Sequence, residues 1–401
     1  MSQLFPFRAL RPAPAVASRV ASVPYDVVNT EEARALAAKE PLSFLRVTRS
    51  EVDLPAATHP YADAVYAQAV ANFEDLTRAA PMLIDDEPSL YLYRLTMGAH
   101  VQVGLAGCFS VDEYDRGLVK KHEKTRKDKE DDRTRHITEL RAQTGVVFLT
   151  YRASADVDAI AARVVAGAPL YAFAAADMIV HELWRVTGAD ADALVQAFAA
   201  MPALYIADGH HRAASASRAQ AALDGAGESK KFIAVAFPDT QMQILPYNRV
   251  VRDLAGQTPE QFLVALKARV TVAPGTPTPL RAGLVSMYFD GLWYELTLPV
   301  PAAGTPRDES LDVAVLQAQV LEPVLQVGDP RSDKRIDFVG GARGTAELEK
   351  LVDTGKAAVA FSLVPTTIDD LIAIADAGGI MPPKSTWFEP KLRDGLLVHL
   401  I

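Results

Sequence analysis

The stretch LYIADGHHRAASASRAQ, residues Leu204–Gln220, decides the fold. Its first residues, Leu204-Tyr205-Ile206-Ala207, are apolar and include a β-branched side chain, so they read as a strand. The polar run Asp208-Gly209-His210-His211-Arg212 follows at once, and the alanine-rich Ala213–Ala222 reads as a helix closed by Gly225 and Gly227. A strand, a tight turn and a helix start gather backbone N–H groups and the positive end of the helix dipole at one point, where an anion is stabilised. His210, His211 and Arg212 add side-chain donors there, and Asp208 is suited to orient one of them or to hold a cation. The simpler alternative is an Asp cap with a solvated first turn. Against it stands the cost of burying so many ionisable groups without a purpose.

Working outward, strands and helices alternate on both sides. Val146–Tyr151, Val180–Val186 and Lys231–Phe237 read as strands, and Val157–Val165 and Asp190–Ala200 as helices, which is an α/β order. Upstream, Tyr91–Leu95 and Val101–Phe109 form a predicted hairpin through Gly98-Ala99-His100. Pro60–Ala79 reads as a helix with Tyr61, Val65, Val70, Phe73 and Leu76 on its core-facing stripe. Ser43–Val47 reads as a short strand, and Glu31–Lys39 as a helix capped by Thr30.

The composition changes at Asp253. Thr258 and Gln261 form a capping box for the helix Pro259–Lys267, and Leu284–Leu298 reads as two strands around Asp290-Gly291. Gly340-Gly341-Ala342-Arg343-Gly344 lacks the Gly-Lys-Ser/Thr ending of a P-loop and reads as a turn before the helix Thr345–Val352. A helix over Ile368–Ala377 and a strand over Leu392–Leu400 close the chain. The expected class is mixed α/β (α+β), with an N-terminal region over 1–100, a phosphate-binding core over 101–252 and a C-terminal α/β domain over 253–401.

Three further segments carry candidate site residues. Lys120–Arg141 holds nine Lys/Arg and six Asp/Glu, a local sign opposite to that of the whole chain. Part of it is an ion-paired helix, with Arg133, Ile137, Leu140 and Thr144 along one face. His122-Glu123-Lys124-Thr125 precedes that helix, in a loop able to present unlike groups to one ligand. Near the start, Pro24 restricts Val23 to extended backbone and holds Tyr25-Asp26 in a constrained stretch. Near the end, Met381–Phe388 places two prolines, Lys384, Ser385 and Thr386 in one loop, suited to a phosphate or carboxylate or, equally, to a packed surface turn. A zinc site fits poorly: Arg126 stands where a second histidine would follow His122, and Cys108 is the one cysteine.

Composition narrows the classes. The formal charge of −9 over 401 residues argues against broad adhesion to DNA or acidic membrane. A single cysteine allows no intramolecular disulfide and fits a reducing compartment. No charge-free apolar stretch is long enough for a membrane span, and the proline-bearing N-terminus does not read as a signal peptide, so a cytoplasmic location is expected.

Asp208-Gly209-His210-His211-Arg212 resembles the signature of the bacterial and archaeal family DUF1015. The resemblance extends to Phe5-Pro6-Phe7-Arg8-Ala9, Val23-Pro24-Tyr25-Asp26-Val27-Val28, His122-Glu123-Lys124-Thr125, Asp132-Arg133 and Met381-Pro382-Pro383-Lys384-Ser385-Thr386. The short focal motif is also similar to the phosphate motif of the ParB/sulfiredoxin superfamily, which includes nucleotide-binding switches and free-serine kinases. That similarity implies a ParB-like nucleotide-binding core and a small-molecule phosphotransferase using ATP or ADP with Mg²⁺, with serine as the suggested acceptor. The expected catalytic residues are Glu123, Asp26 and His210. The expected nucleotide-binding residues are Asp208, Gly209, His210, His211, Arg212, His122, Lys124, Arg126 and Lys384, with Asp208 also the expected metal ligand. Lys121, Lys124 and Arg126 are placed to keep Glu123 ionised. A non-catalytic nucleotide-binding regulator is the alternative, and a helix-turn-helix DNA reader is not evident. The expected partner is a small molecule, with neither a specific nucleic acid nor a membrane; the sequence says nothing of oligomeric state.

Overall fold

The computed structural model describes residues 2–80 and 82–401. The chain packs as two compact units: the first comprises residues up to Met242 together with Pro390–Ile401, and the second is Gln243–Glu389. The stretches 1–100 and 101–242 thus share one unit, and the last twelve residues return to it, where the sequence had implied three consecutive regions.

The first unit is built on a nine-stranded mixed sheet. Its order is Val119–Lys120, Leu204–Asp208, Val147–Tyr151, Lys231–Pro238, His100–Ser110, Leu90–Met97, Val180–Val186 and Tyr171–Ala174, with Leu4–Phe5 pairing beside His100–Ser110. Two pairings are parallel, Lys231–Pro238 with Val147–Tyr151 and Leu204–Asp208 with Val119–Lys120; the others are antiparallel. Lys231–Pro238 is buried at nearly every position, as an unbroken apolar run in the middle of a covered sheet requires. Phe109, Phe198, Phe232, Leu149 and Ile206 meet in the core, each contributing about 1.5–3 kcal/mol by burial. The helix Lys127–Leu140 packs on His210–Ala222.

The predicted hairpin forms, with Met97 opposite His100 and Gly98 at φ +59° in the turn. Three local expectations change. Leu45–Thr48 is a helical turn and not a strand, because Phe44 and Val47 are buried in the cluster around Leu76 and Val20 while Leu45 between them is buried too; five residues of alternation do not separate the two. The helix Thr30–Lys39 is capped by Asn29, whose side chain accepts from Glu32 N–H while the Glu32 carboxylate accepts from Asn29 N–H. Only His399–Leu400 of the closing segment is strand, paired with Ala142–Gln143. Gly395, at φ +88°, lies so close to Phe44 that a Cβ would meet the ring at 2.7 Å, and the chain turns there.

The second unit carries a six-stranded antiparallel sheet in the order Thr271–Pro274, Leu292–Thr297, Leu284–Phe289, Val359–Ser362, Tyr247–Val251 and Ile336–Gly340. The capping box of Thr258 and Gln261 is formed as expected. The glycine-rich 340–344 run is a 3₁₀ turn. A Cβ on Gly340 would meet the Trp387 ring, and one on Gly341 the Pro246 carbonyl, so these glycines admit protein groups. No helix among the described residues is long and apolar enough to cross a membrane.

Candidate functional site

The focal turn is set by a bulge. Leu204–Asp208 runs against Val147–Tyr151, and the register slips between Ile206, opposite Leu149, and Asp208, opposite Phe148. The extra residue increases the local twist and re-aims the end of the strand. Gly209 then takes φ +92° and caps the helix, which starts at His210, three residues before the alanine-rich run. A side chain at this φ is strained. The first-turn amides, like those of any helix start, have no intrahelical acceptor.

Parallel pairing explains which loop joins this turn. Val119–Lys120 lies beside Leu204–Tyr205 in parallel, so both strands run out at the same edge and residues 121–126 emerge next to Asp208–Arg212. The His122 amide donates to His210 Nε2 at 3.4 Å, and the Arg126 amide to His211 Nε2 at 3.0 Å. With Nε2 accepting, a neutral ring carries its proton on Nδ1. The adjacent histidines therefore clamp the loop, a role their spacing did not announce.

His210 is buried, and burial, with His122 next, holds its pKa well below the usual imidazole range. Its Nδ1 faces Glu123 Oε2 at 3.8 Å, and the Glu123 side chain keeps 38% of its surface exposed. The His122 ring meets that of His210 edge-on at 4.4 Å. Burial pushes His122 down to about 4, and its Nδ1 has no hydrogen-bond partner among the described residues. Two buried imidazoles thus lie beside a half-exposed carboxylate.

Asp26 arrives from the N-terminal segment. Its carboxylate accepts from Arg212 Nη2 at 2.9 and 3.1 Å, and Arg212 Nη1 donates to the Val146 carbonyl at 2.6 Å. Arg212 is buried; its Nη2 ties the Tyr25-Asp26 segment to the focal helix and its Nη1 ties in Val146, whereas the sequence had expected this guanidinium on an anion. Arg133 stacks on the Tyr25 ring at 4.3 Å and pairs with Asp132 at 2.8 Å. Arg49 donates to the Tyr25 and Val28 carbonyls. The cavity beneath, lined in part by Tyr25, Arg133, His136, Thr144 and Arg212, measures about 20 Å³, room for about one water.

Asp208 receives two cations, Lys391 at 3.4 Å and Arg212 at 3.8 Å. Burial opposes its ionisation, yet Lys391 and Arg212 outweigh burial and hold the carboxyl well below its usual range. A divalent ion at Asp208 would meet two positive charges at once. The described residues contain no group of three or more His, Cys, Asp or Glu suited to a metal. The expected Asp208 metal site therefore does not fit, because this carboxylate is already neutralised by Lys391 and Arg212.

The returning C-terminal segment supplies residues that sequence reading missed. Lys391, Arg393 and Asp394 are all buried. Arg393 pairs with Asp177, and Asp394 exchanges backbone hydrogen bonds with Ser22. Burial, opposed by Arg212, pushes Asp394 up to about 7, and its Oδ2 has no hydrogen-bond partner among the described residues. Three charges within Lys391–Asp394 were the available signal, hidden by reading the segment as a strand. Lys124 and Arg126 are exposed on the loop, and Arg126 pairs with Asp128 at 2.8 Å. Lys121 instead sits on the Tyr114 ring at 3.6 Å. Lys384 belongs to the second unit, with its ammonium over the Tyr247 ring at 5.5 Å.

This mixed α/β protein belongs to the family DUF1015, described as a protein family of unknown function, whose model matches residues 4–316. No curated protein matches the chain. Among solved structures it is similar to SbnI with a C-terminal truncation from Staphylococcus aureus, at 14% identity and a TM-score of 0.41, over 74% of this chain and 87% of that one. A conserved hypothetical protein from Pyrococcus furiosus is similar at 14% identity and 0.37, over 74% and 95%. Free serine kinase in complex with AMP is similar at 12% and 0.38, over 74% and 92%.

Proposed function

We propose that this protein is a nucleotide-dependent phosphotransferase acting on a small hydroxyl acceptor. The resemblance of Asp208–Arg212 to the motif of free-serine kinases favours a hydroxy amino acid such as serine. The observation that carries the reading is Glu123, a half-exposed carboxylate 3.8 Å from Nδ1 of buried His210 at a helix N-terminus. The first-turn amides after Gly209 offer hydrogen bonds to nucleotide phosphates, and Lys124 offsets charge on the transferring group. The acceptor oxygen attacks the terminal phosphorus, the bond from phosphorus to the leaving nucleotide oxygen breaks with its electron pair, and the hydroxyl proton passes to Glu123. His210, with its Nδ1 toward Glu123, orients that carboxylate. Asp26 is the second choice of base, less suited because Arg212 engages both its oxygens.

A regulatory reading also has an observation behind it. Both histidines hold the 122–126 loop through backbone amides, so an anion at the turn can shift the loop without catalysis. Incubation with ATP or ADP and a panel of free amino acids, followed by phosphorus NMR, separates the two readings. Many turnovers of phosphorylated product support the transferase; tight nucleotide binding with no product supports the switch. Glu123→Gln should lower turnover by roughly a hundredfold or more with nucleotide affinity nearly unchanged, the range for a positioned acid–base group. Wild-type turnover in Glu123→Gln together with loss in Asp26→Asn would move the base to Asp26.

A further inference from the structure

The second unit contains a buried cation with no counter-charge. Arg249, on the strand Tyr247–Val251, is 3% exposed. It makes no ion pair with any described carboxylate; its guanidinium donates to the carbonyls of Tyr247, Pro383 and Lys384, the last at 3.0 Å. Burial lowers its pKa to about 9, which leaves it protonated at neutral pH. Arginine is rarely buried without a partner, because desolvating the charge is expensive. Here the partners are carbonyl dipoles of the loop that carries Lys384.

The same loop holds a second irregularity. Lys384 has φ +57°, in the region that favours glycine, immediately after two prolines. A non-glycine residue there is strained and persists when its surroundings impose it. Arg249 imposes it by gripping the carbonyls on both sides of Lys384 Cα, and Ser385 Oγ donates to the Pro382 carbonyl at 2.6 Å. In a trans peptide the N–H points opposite to the C=O. The clamp therefore turns the amides of Lys384 and Ser385 away from Arg249, and successive amides around a left-handed residue form an anion-binding concavity. Tyr247, Phe338 and Trp387 flank the loop: Tyr247 meets Trp387 at 5.2 Å and Phe338 at 6.0 Å.

We propose that the Pro382–Ser385 loop is an oxyanion site, in which Lys384 contacts a phosphate or carboxylate group and Arg249 is the positioning residue that shapes the loop and supplies unbalanced positive charge behind it. The inference stands apart from the phosphoryl transfer proposed for the first unit.

The test is fluorine NMR on the full chain labelled with 5-fluorotryptophan, which gives signals for Trp184, Trp293 and Trp387, the last assigned by its loss in Trp387→Phe. Inorganic phosphate and acetate are titrated separately against chloride at equal ionic strength. A saturable shift of the Trp387 signal with phosphate or acetate, weakened at least tenfold in Lys384→Gln, supports the site, and the anion that saturates names its class. Arg249→Lys should weaken binding while its Trp293 and Trp184 signals stay native. No saturable shift, a shift that chloride reproduces, or one unchanged in Lys384→Gln overturns the site. The response should persist in Glu123→Gln, so this proposal and the phosphotransferase can fail independently.

Discussion

The Asp208–Arg212 turn and the Pro382–Ser385 loop use similar ingredients but balance their charge differently. Each has a left-handed residue and a buried arginine gripping backbone carbonyls. At the first, the left-handed residue is Gly209, Arg212 is matched by Asp26, and Lys391 by Asp208. At the second, the left-handed residue is Lys384, and Arg249 has carbonyls alone. At the first turn the buried guanidinium is matched by a carboxylate and holds segments of the chain together; at the second it has carbonyl dipoles alone, which is the basis for proposing an anion site there. A cluster of ionisable residues is thus poor evidence of ligand contact until its partners are known.

The sharpest way to break this comparison is to remove each arginine. Arg212→Met should lower unfolding free energy by about 3 kcal/mol, the lower end for breaking a buried pair, since Asp26 is partly exposed and can rehydrate. Arg249→Met should cost less, because it leaves the Tyr247, Pro383 and Lys384 carbonyls without this donor but orphans no carboxylate. Equal losses in urea denaturation would remove the distinction.

The left-handed positions offer a smaller contrast. Gly209→Ala should destabilise by about 1–2 kcal/mol, the cost of a side chain in that region. Lys384→Gly should leave stability unchanged or raise it by up to about 1 kcal/mol. A destabilised Lys384→Gly would show that the lysine holds the loop and not the reverse.

Asp394 tests how far the matched region is matched. Its pKa is raised to about 7 by burial, so between about pH 4, where an unfolded aspartate titrates, and pH 7 the folded state binds more protons. Its contribution is present below pH 4 and lost as pH rises through 7, with a slope of up to about 1.4 kcal/mol per unit. His122 acts with the opposite sign: held near 4 by burial, it favours the folded state less as pH falls from 6.5 toward 4. Asp394→Asn should therefore steepen the acid loss of stability below pH 6.5, measured by denaturation at stepped pH. The smallest expected effect is on Lys384→Gln, whose stability should stay within about 0.5 kcal/mol of wild type, as for most exposed substitutions.

Much of the fold was legible because it rests on local chemistry. The hairpin about Gly98, the capping box of Thr258 and Gln261, and the strand-to-helix switch at Asp208–His210 follow from turn residues, caps and periodicity within a few residues of one another. Where local signals were short or ambiguous, packing decided: Leu45–Thr48 winds into a helix because three of its neighbourhood's apolar side chains are buried at once. The ends of the chain illustrate the same limit. Nothing near Lys391 or Asp394 says that the segment returns from the second unit to lie beside residues Asp208 and Ser22.

For the site, the sequence by itself determined which residue types are concentrated at Asp208–Arg212, His122–Arg126 and Tyr25-Asp26, and that a glycine-capped helix starts among them. Only the tertiary structure decided what those residues do. The parallel pairing of Val119–Lys120 with Leu204–Tyr205 brought Glu123 to His210, and the same pairing turned both histidine Nε2 atoms into loop anchors. Arg212 and Asp208 became paired groups because Asp26 and Lys391 arrive from distant parts of the chain. Whether a charge is offered to a ligand or consumed internally depends on which opposite charge lies within a few ångströms, and that is a property of chain topology that no window of sequence contains.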